Sequence, residues 1–258
     1  VADEDVIFRG DQPLGKEIFD LSPTSFHLSL DHLGSVRTTT NGDGTIVAFR
    51  SRASNLHVLH NSGAWGVFAR NLATNTTYLV SVNCDGTGSA WSHSNEDMES
   101  LVISADGRWV AFSSRAEGLY RNDWAYQDIF TRNLQVSQTA VDGTYLVSVN
   151  ADGSAGGNDD SFSPTISADG RFVCFSSGAS NLVPGDTNNG LDVFLYDRDL
   201  QTTTLVSRAS GTTGTLGNGF STFPSISADG RRILFFSQAS NLVPGDTNGR
   251  SDWFMRDL

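Results

Sequence analysis

Apolar residues in this chain fall in short runs separated by glycine, asparagine, aspartate and serine. Ile46-Val47-Ala48-Phe49, Trp109-Val110-Ala111-Phe112, Phe172-Val173-Cys174-Phe175 and Ile233-Leu234-Phe235-Phe236 are apolar throughout, as expected of strands covered on both faces. A turn precedes each one: Asn41-Gly42-Asp43-Gly44, Ser104-Ala105-Asp106-Gly107, Ser167-Ala168-Asp169-Gly170 and Ser227-Ala228-Asp229-Gly230. The turns recur at intervals of 63, 63 and 60 residues. A further strand follows each run after a polar loop: Gly66-Val67-Phe68-Ala69, Asp128-Ile129-Phe130-Thr131, Asp192-Val193-Phe194-Leu195 and Asp252-Trp253-Phe254-Met255. In the first three copies one more strand ends in Leu-Val-Ser, at Ser81, Ser148 and Ser207. Nothing in the pattern has a helical period.

One unit is therefore written four times, and no single copy can bury both of its faces. Short strands before the turns, such as Pro164-Thr165-Ile166-Ser167, complete an antiparallel four-stranded sheet per copy. The expected fold is all-β, a β-propeller of four-stranded antiparallel blades, with four blades in a single domain over 1–258. The repeats run approximately over 31–92, 93–161, 162–221 and 222–258. The fourth copy stops after its third strand, while the chain opens with strand-like sequence, Asp5-Val6-Ile7-Phe8-Arg9 and Glu17-Ile18-Phe19-Asp20-Leu21. Unpaired sheet edges invite aggregation, so residues within 1–30 are expected to supply the outer strand of the last blade and close the ring.

Ser-Ala-Asp-Gly-Arg followed by a Val/Phe strand, then Ala-Ser-Asn-Leu-Val-Pro-Gly-Asp-Thr-Asn and Asp-Val-Phe, resembles the TolB-like repeats of bacterial propellers, a group related to WD40. The resemblance covers residues from about 41 to 258 and is strongest in the third and fourth copies. Repeats of that family are usually shorter and more numerous.

Composition narrows the partners. Hydrophobic residues make up 38% of the 258, including 16 phenylalanines, enough for an ordinary core. A net charge of −12 argues against nucleic acid, whose binding rests on cationic side chains, and is compatible with cations. The acids sit in Asp/Asn/Gly loops rather than in runs of like charge. Of the two cysteines, Cys174 occupies a core strand and Cys84 a loop, so no disulfide is expected. No stretch is long and apolar enough for a membrane helix. The start shows no basic-then-apolar leader, so secretion would imply a signal already removed.

Candidate chemistry lies in the loops between second and third strands. Asp186, Asn188 and Asp192 in the third copy, and Asp246, Asn248 and Asp252 in the fourth, share an i, i+2, i+6 spacing with glycine nearby. Ca²⁺ takes six to eight oxygens, and a tight Asp-x-Asn loop can converge several of them. The competing reading is a turn in which Asp and Asn bond their own backbone. The second copy keeps Asn122 and Asp128 but places Trp124 between them, which predicts a weak site; the first has His60, Ser62 and Gly66, which predicts none. Asn83-Cys84-Asp85-Gly86 and Asn150-Ala151-Asp152-Gly153 read first as turns and second as sugar-binding loops. His57 and His60 read as surface histidines before they read as ligands. Neither a nucleophile elbow nor a phosphate loop occurs.

Insertions in the first two copies carry Trp65, Trp91, Tyr120, Trp124 and Tyr126. Such aromatics are interface anchors or packing between blades. The leading expectation is a non-catalytic extracellular, cell-surface or periplasmic propeller that binds a protein partner or belongs to a larger assembly, with Ca²⁺ stabilising its loops. A carbohydrate-binding lectin is the first alternative, and a polysaccharide-active hydrolase or lyase the second.

Overall fold

The computed structural model describes residues 38–60, 64–90, 100–120, 126–136, 143–209 and 214–258. The expected closing strand within 1–30 lies outside them.

The described residues are all-β, and their strands pair only with neighbours in sequence. The first sheet holds β1 (Thr39–Thr40), β2 (Ile46–Ser51), β3 (Gly66–Asn71) and β4 (Thr76–Leu79) in that order. The second holds β5 (Leu101–Ile103), β6 (Trp109–Ser114), β7 (Asp128–Asn133) and β8 (Thr144–Leu146). The third holds β9 (Ser161–Ile166), β10 (Phe172–Ser177), β11 (Asp192–Asp197) and β12 (Thr202–Leu205). The last holds β13 (Ser221–Ile226), β14 (Arg232–Ser237) and β15 (Asp252–Asp257), with no fourth strand among the described residues. Every pairing is antiparallel, and β1, β5, β9 and β13 touch one after another, so the sheets stack as blades.

Local chemistry fixes each hairpin. Ser104, Ser167 and Ser227 donate to Asp106, Asp169 and Asp229 at 2.5, 2.6 and 2.5 Å. The same hydroxyls accept the backbone N–H of Trp109, Phe172 and Arg232 at 3.0, 3.0 and 2.9 Å. The following glycine adopts a left-handed φ, +74° at Gly170, and a Cβ there would come within 2.5 Å of the Trp109 ring. The turn therefore requires glycine both for its backbone and for the approach of the neighbouring blade.

Blades pack head to tail on unlike faces. One face of each carries a phenylalanine pair placed directly across strands: Phe49–Phe68, Phe112–Phe130, Phe175–Phe194 and Phe235–Phe254, with ring centroids 5.7–5.9 Å apart. The opposite face of the preceding blade is small and aliphatic. Ala48, Val67, Ala69 and Val80 meet Phe112 and Phe130; Ala111, Ile129 and Val147 meet Phe175 and Phe194; Cys174, Val193, Leu195 and Val206 meet Ile233, Phe235 and Leu242. Cys174 is thus a buried core residue, and both cysteines are free.

The last blade breaks the pattern. Where the third blade has Cys174, Val193 and Leu195, the fourth has Leu234, Trp253 and Met255, which are 43%, 57% and 65% exposed. No described residue covers this face as blade covers blade elsewhere. Phe175→Ala should destabilise the fold by about 3–5 kcal/mol, because it removes a ring from a closed contact. Met255→Ala on the open face should change stability by no more than about 0.5 kcal/mol. Urea denaturation followed by tryptophan fluorescence measures both; equal effects would mean that blade stacking is not what holds the chain.

Candidate metal centre

The loop from Asn181 to Leu191 leaves β10, turns at Pro184-Gly185 and delivers Asp192 to the start of β11. Gly185 has φ +82° and its counterpart Gly245 +87°, so both loops bend through a position suited to glycine. Asn188 Oδ1 accepts the Gly190 N–H at 3.2 Å, and Asn248 Oδ1 accepts that of Arg250 at 2.7 Å. To this extent both are the Asx turns expected of such sequences.

Turn chemistry does not account for the carboxylates. In the third blade Asp186 and Asp192 are 7% and 0% exposed. Ser207 Oγ donates to Asp192 Oδ1 at 2.5 Å and itself accepts the Val193 N–H at 3.0 Å. Asp192 Oδ2 and Asp186 Oδ1 are buried without a hydrogen-bond partner. Burial pushes the Asp192 carboxyl up to about 6; the neighbouring charge of Asp186 adds to this, against the hydrogen bond from Ser207. Burial raises Asp186 as well. Two buried like charges with open oxygens are costly unless a cation joins them. Asp186, Asn188 and Asp192 are thus brought together.

The fourth blade repeats the loop in a looser form. Asp246 Oδ2 is buried without a partner. Asn248 Nδ2 donates to Asp252 Oδ2 at 2.9 Å, Asn248 is exposed, and Asp252 is half-buried. In the second blade, Ser148 donates to the fully buried Asp128, while Asn122 and Trp124 lie outside the described residues. The first blade has Gly66 at this position, and Ser81 Oγ accepts the Val67 N–H at 3.0 Å. No group of three or more His, Cys, Asp and Glu occurs among the described residues. Two buried carboxylates and the oxygen of a neighbouring amide are the oxygen donor types that a hard cation such as Ca²⁺ takes.

The sequence reading missed the serine. Its signal is the Leu-Val-Ser ending of the outer strand, whose hydroxyl is aimed in the second and third copies at the aspartate opening the preceding strand.

Other candidates are dispersed. Trp65 is half-buried under the Arg50 guanidinium, 4.7 Å from its ring centroid. Tyr120 packs against the core between the first two blades, and Tyr126 is 41% exposed. Trp91 lies outside the described residues. His60 is not a surface residue: it is fully buried, edge-on to Phe68 with centroids 5.1 Å apart, because the loop folds it under the first sheet. The Asn/Asp-Gly loops are engaged with themselves. Thr87 donates its hydroxyl to Asp85 at 2.6 Å and its N–H to Asn83 at 3.0 Å, and Ser154 treats Asp152 and Asn150 the same way at 2.5 and 3.0 Å.

No family model matches the chain, and no curated protein matches it. Among solved structures it is similar to TolB from Acinetobacter baumannii, at 14% identity over 86% of this chain and 40% of that one, with a TM-score of 0.48. It is also similar to the β-propeller domain of the Trilobed protease from Pyrococcus furiosus, at 13% identity over 88% and 59%, with a TM-score of 0.42. A third likeness is to the tricorn protease, at 16% identity over 86% and 17%, with a TM-score of 0.43. The chain spans less than half the length of that TolB. Sheet order and stacking define a run of antiparallel propeller-type blades, with buried paired carboxylates in the loop of the third.

The buried pair has a consequence for pH. Asp192 binds its proton more tightly folded than unfolded, so between about pH 4 and pH 6 the folded state holds more protons and stability falls as pH rises. In chelator-treated protein, Asp192→Asn should be the more stable form above pH 6, by on the order of 2–3 kcal/mol, and the gap should close near pH 4. Urea titrations of both proteins across that range read the difference directly. A gap independent of pH would show that the carboxylate is not buried as charge.

Proposed function

We propose that this chain is a non-catalytic binding or structural module of propeller blades, working outside the cell or in the periplasm, with Ca²⁺ held in the loops of its third and fourth blades. The binding role is our reading of the fourth sheet's apolar face, which no described residue covers and which has the character of a surface that takes a further blade or another apolar surface. Leu234, Trp253 and Met255 stand exposed where the equivalent residues of the third blade are covered, and Phe223 is 60% exposed beside them in β13. Trp, Met and Phe are the residue types enriched in protein interfaces. Closing of the last sheet by a strand from 1–30 is part of the reading.

The Ca²⁺ part rests on Asp186 and Asp192, and their charge count fits the setting. Two carboxylates make a weaker site than the denser donor sets of cytosolic buffers, and extracellular modules operate with dissociation constants of roughly 10⁻⁴–10⁻³ M.

Two measurements test the reading. Millimolar Ca²⁺ should raise the melting temperature, chelator should reverse the rise, and Asp186→Ala with Asp246→Ala should abolish it. A wild type and double variant that melt alike with and without Ca²⁺ would leave the loops as turns only. For the binding role, Trp253→Lys with Met255→Lys should keep the wild-type melting temperature yet lose self-association in sedimentation velocity, or lose proteins that the wild type retains from extracts of its source. If the variant keeps every association the wild type shows, the last face is not the binding surface.

A further inference from the structure

Resting on the Ca²⁺ reading, we propose that holding Ca²⁺ at Asp186 and Asp192 and seating the fourth blade on the third are coupled, so that each event strengthens the other.

The 186–192 stretch that carries the two acids is also the part of the third blade that the chain entering the fourth blade grips. Asn188 Nδ2 donates to the Gly217 carbonyl at 3.1 Å, and the Gly217 N–H donates to the Ser207 carbonyl at 3.1 Å. Immediately before Asp192, the Leu191 carbonyl accepts the N–H of Ser221, the first residue of β13, at 2.7 Å. Between these two bonds Gly190 lies so close to Phe220 that a Cβ there would stand 3.3 Å from the ring. Both the connection and the inner strand of the fourth blade are therefore fastened to the loop that carries the acids.

Ser207 ties the acids to the far side of the same junction. Its hydroxyl donates to Asp192 Oδ1 at 2.5 Å, while Asp192 Oδ2 and Asp186 Oδ1 are buried and open. Its neighbour Val206 shares a core with Ile233 and Phe235 of the fourth blade, and the Val206 carbonyl accepts from Arg256 Nε at 2.8 Å. Repulsion between two buried carboxylates works against the loop shape that presents Asn188 and Leu191 to the fourth blade, and a cation between them favours that shape. A seated fourth blade in turn holds the loop in place, so less ordering opposes binding. Coupling between two binding events acts equally in both directions.

Isothermal titration of the full chain with Ca²⁺ alone reads one direction, with Asp246→Ala as the background so that the heat comes from the third-blade loop. Arg256→Met and Phe235→Leu loosen the seat of the fourth blade without touching a ligand, and each should weaken Ca²⁺ binding about fivefold or more. Phe112→Leu, the same change where the second blade meets the first, should leave affinity within about twofold. Hydrogen exchange reads the other direction: Ca²⁺ should slow exchange at Gly217 and Ser221 more than at Gly157 and Ser161, which make the equivalent backbone bonds where the third blade meets the second. Native circular dichroism identifies the variants that fold, and Arg256→Met carries the test if Phe235→Leu does not. Absence of heat in the wild type would remove the Ca²⁺ reading and this one with it. Heat that disappears in the Asp246→Ala background, affinity unmoved by Arg256→Met, or an equal loss in Phe112→Leu would overturn the coupling while leaving Ca²⁺ binding in place.

Discussion

Everything in this chain depends on one contact made again and again: a phenylalanine pair on one blade seated against small aliphatic residues on the blade before it. β6 and β11 are buried at every position because each is covered from both sides. A sheet with two apolar faces has no stable existence alone, so the blades fold as a stack or not at all. The polar groups answer to that stack. Arg256 reaches back from β15 to the Val206 carbonyl at 2.8 Å and to the Arg208 carbonyl, tying the last blade to the end of the third. Arg198 lies 3.5 Å over the Trp109 ring and donates to the Gly170 carbonyl at 3.0 Å.

The fold was largely legible because the repeat makes the pattern redundant. Strand positions, the Asp-Gly hairpins and the three-strand fourth copy follow from residues that recur at fixed offsets, and local chemistry suffices to place them. Features that depend on which blade covers which were harder to read. Leu234, Trp253 and Met255 look like ordinary members of their strands; only the stacking direction shows that they occupy the face where earlier blades carry Ala, Val, Cys and Leu. His60 and Tyr120 read as loop residues, yet one is buried against Phe68 and the other packs on the inter-blade core. Burial of a loop side chain is set by tertiary contact, which spacing along the chain does not encode.

The acidic loops were legible as a pattern and ambiguous as chemistry, since Asx turns and cation loops draw on the same residues. The turn aspartates show what the plain case looks like: hydroxyl donors such as Thr45, Thr87 and Ser154 hold Asp43, Asp85 and Asp152 below the usual carboxylate range. Asp192 shifts the other way despite its own hydroxyl donor, because burial and the charge of Asp186 outweigh Ser207. The opposite directions separate a carboxylate that finishes a turn from one buried beside a second acid.

Serine–aspartate pairing does not depend on a second acid. Ser148 and Asp128 make the same contact in the second blade, and Ser81 keeps the backbone half of it in the first, where glycine replaces the aspartate. The device locks the outer strand to the start of the third strand whether or not a second acid is near. Adding Asp186 to the preceding loop turns a structural clasp into a pair of open carboxylate oxygens.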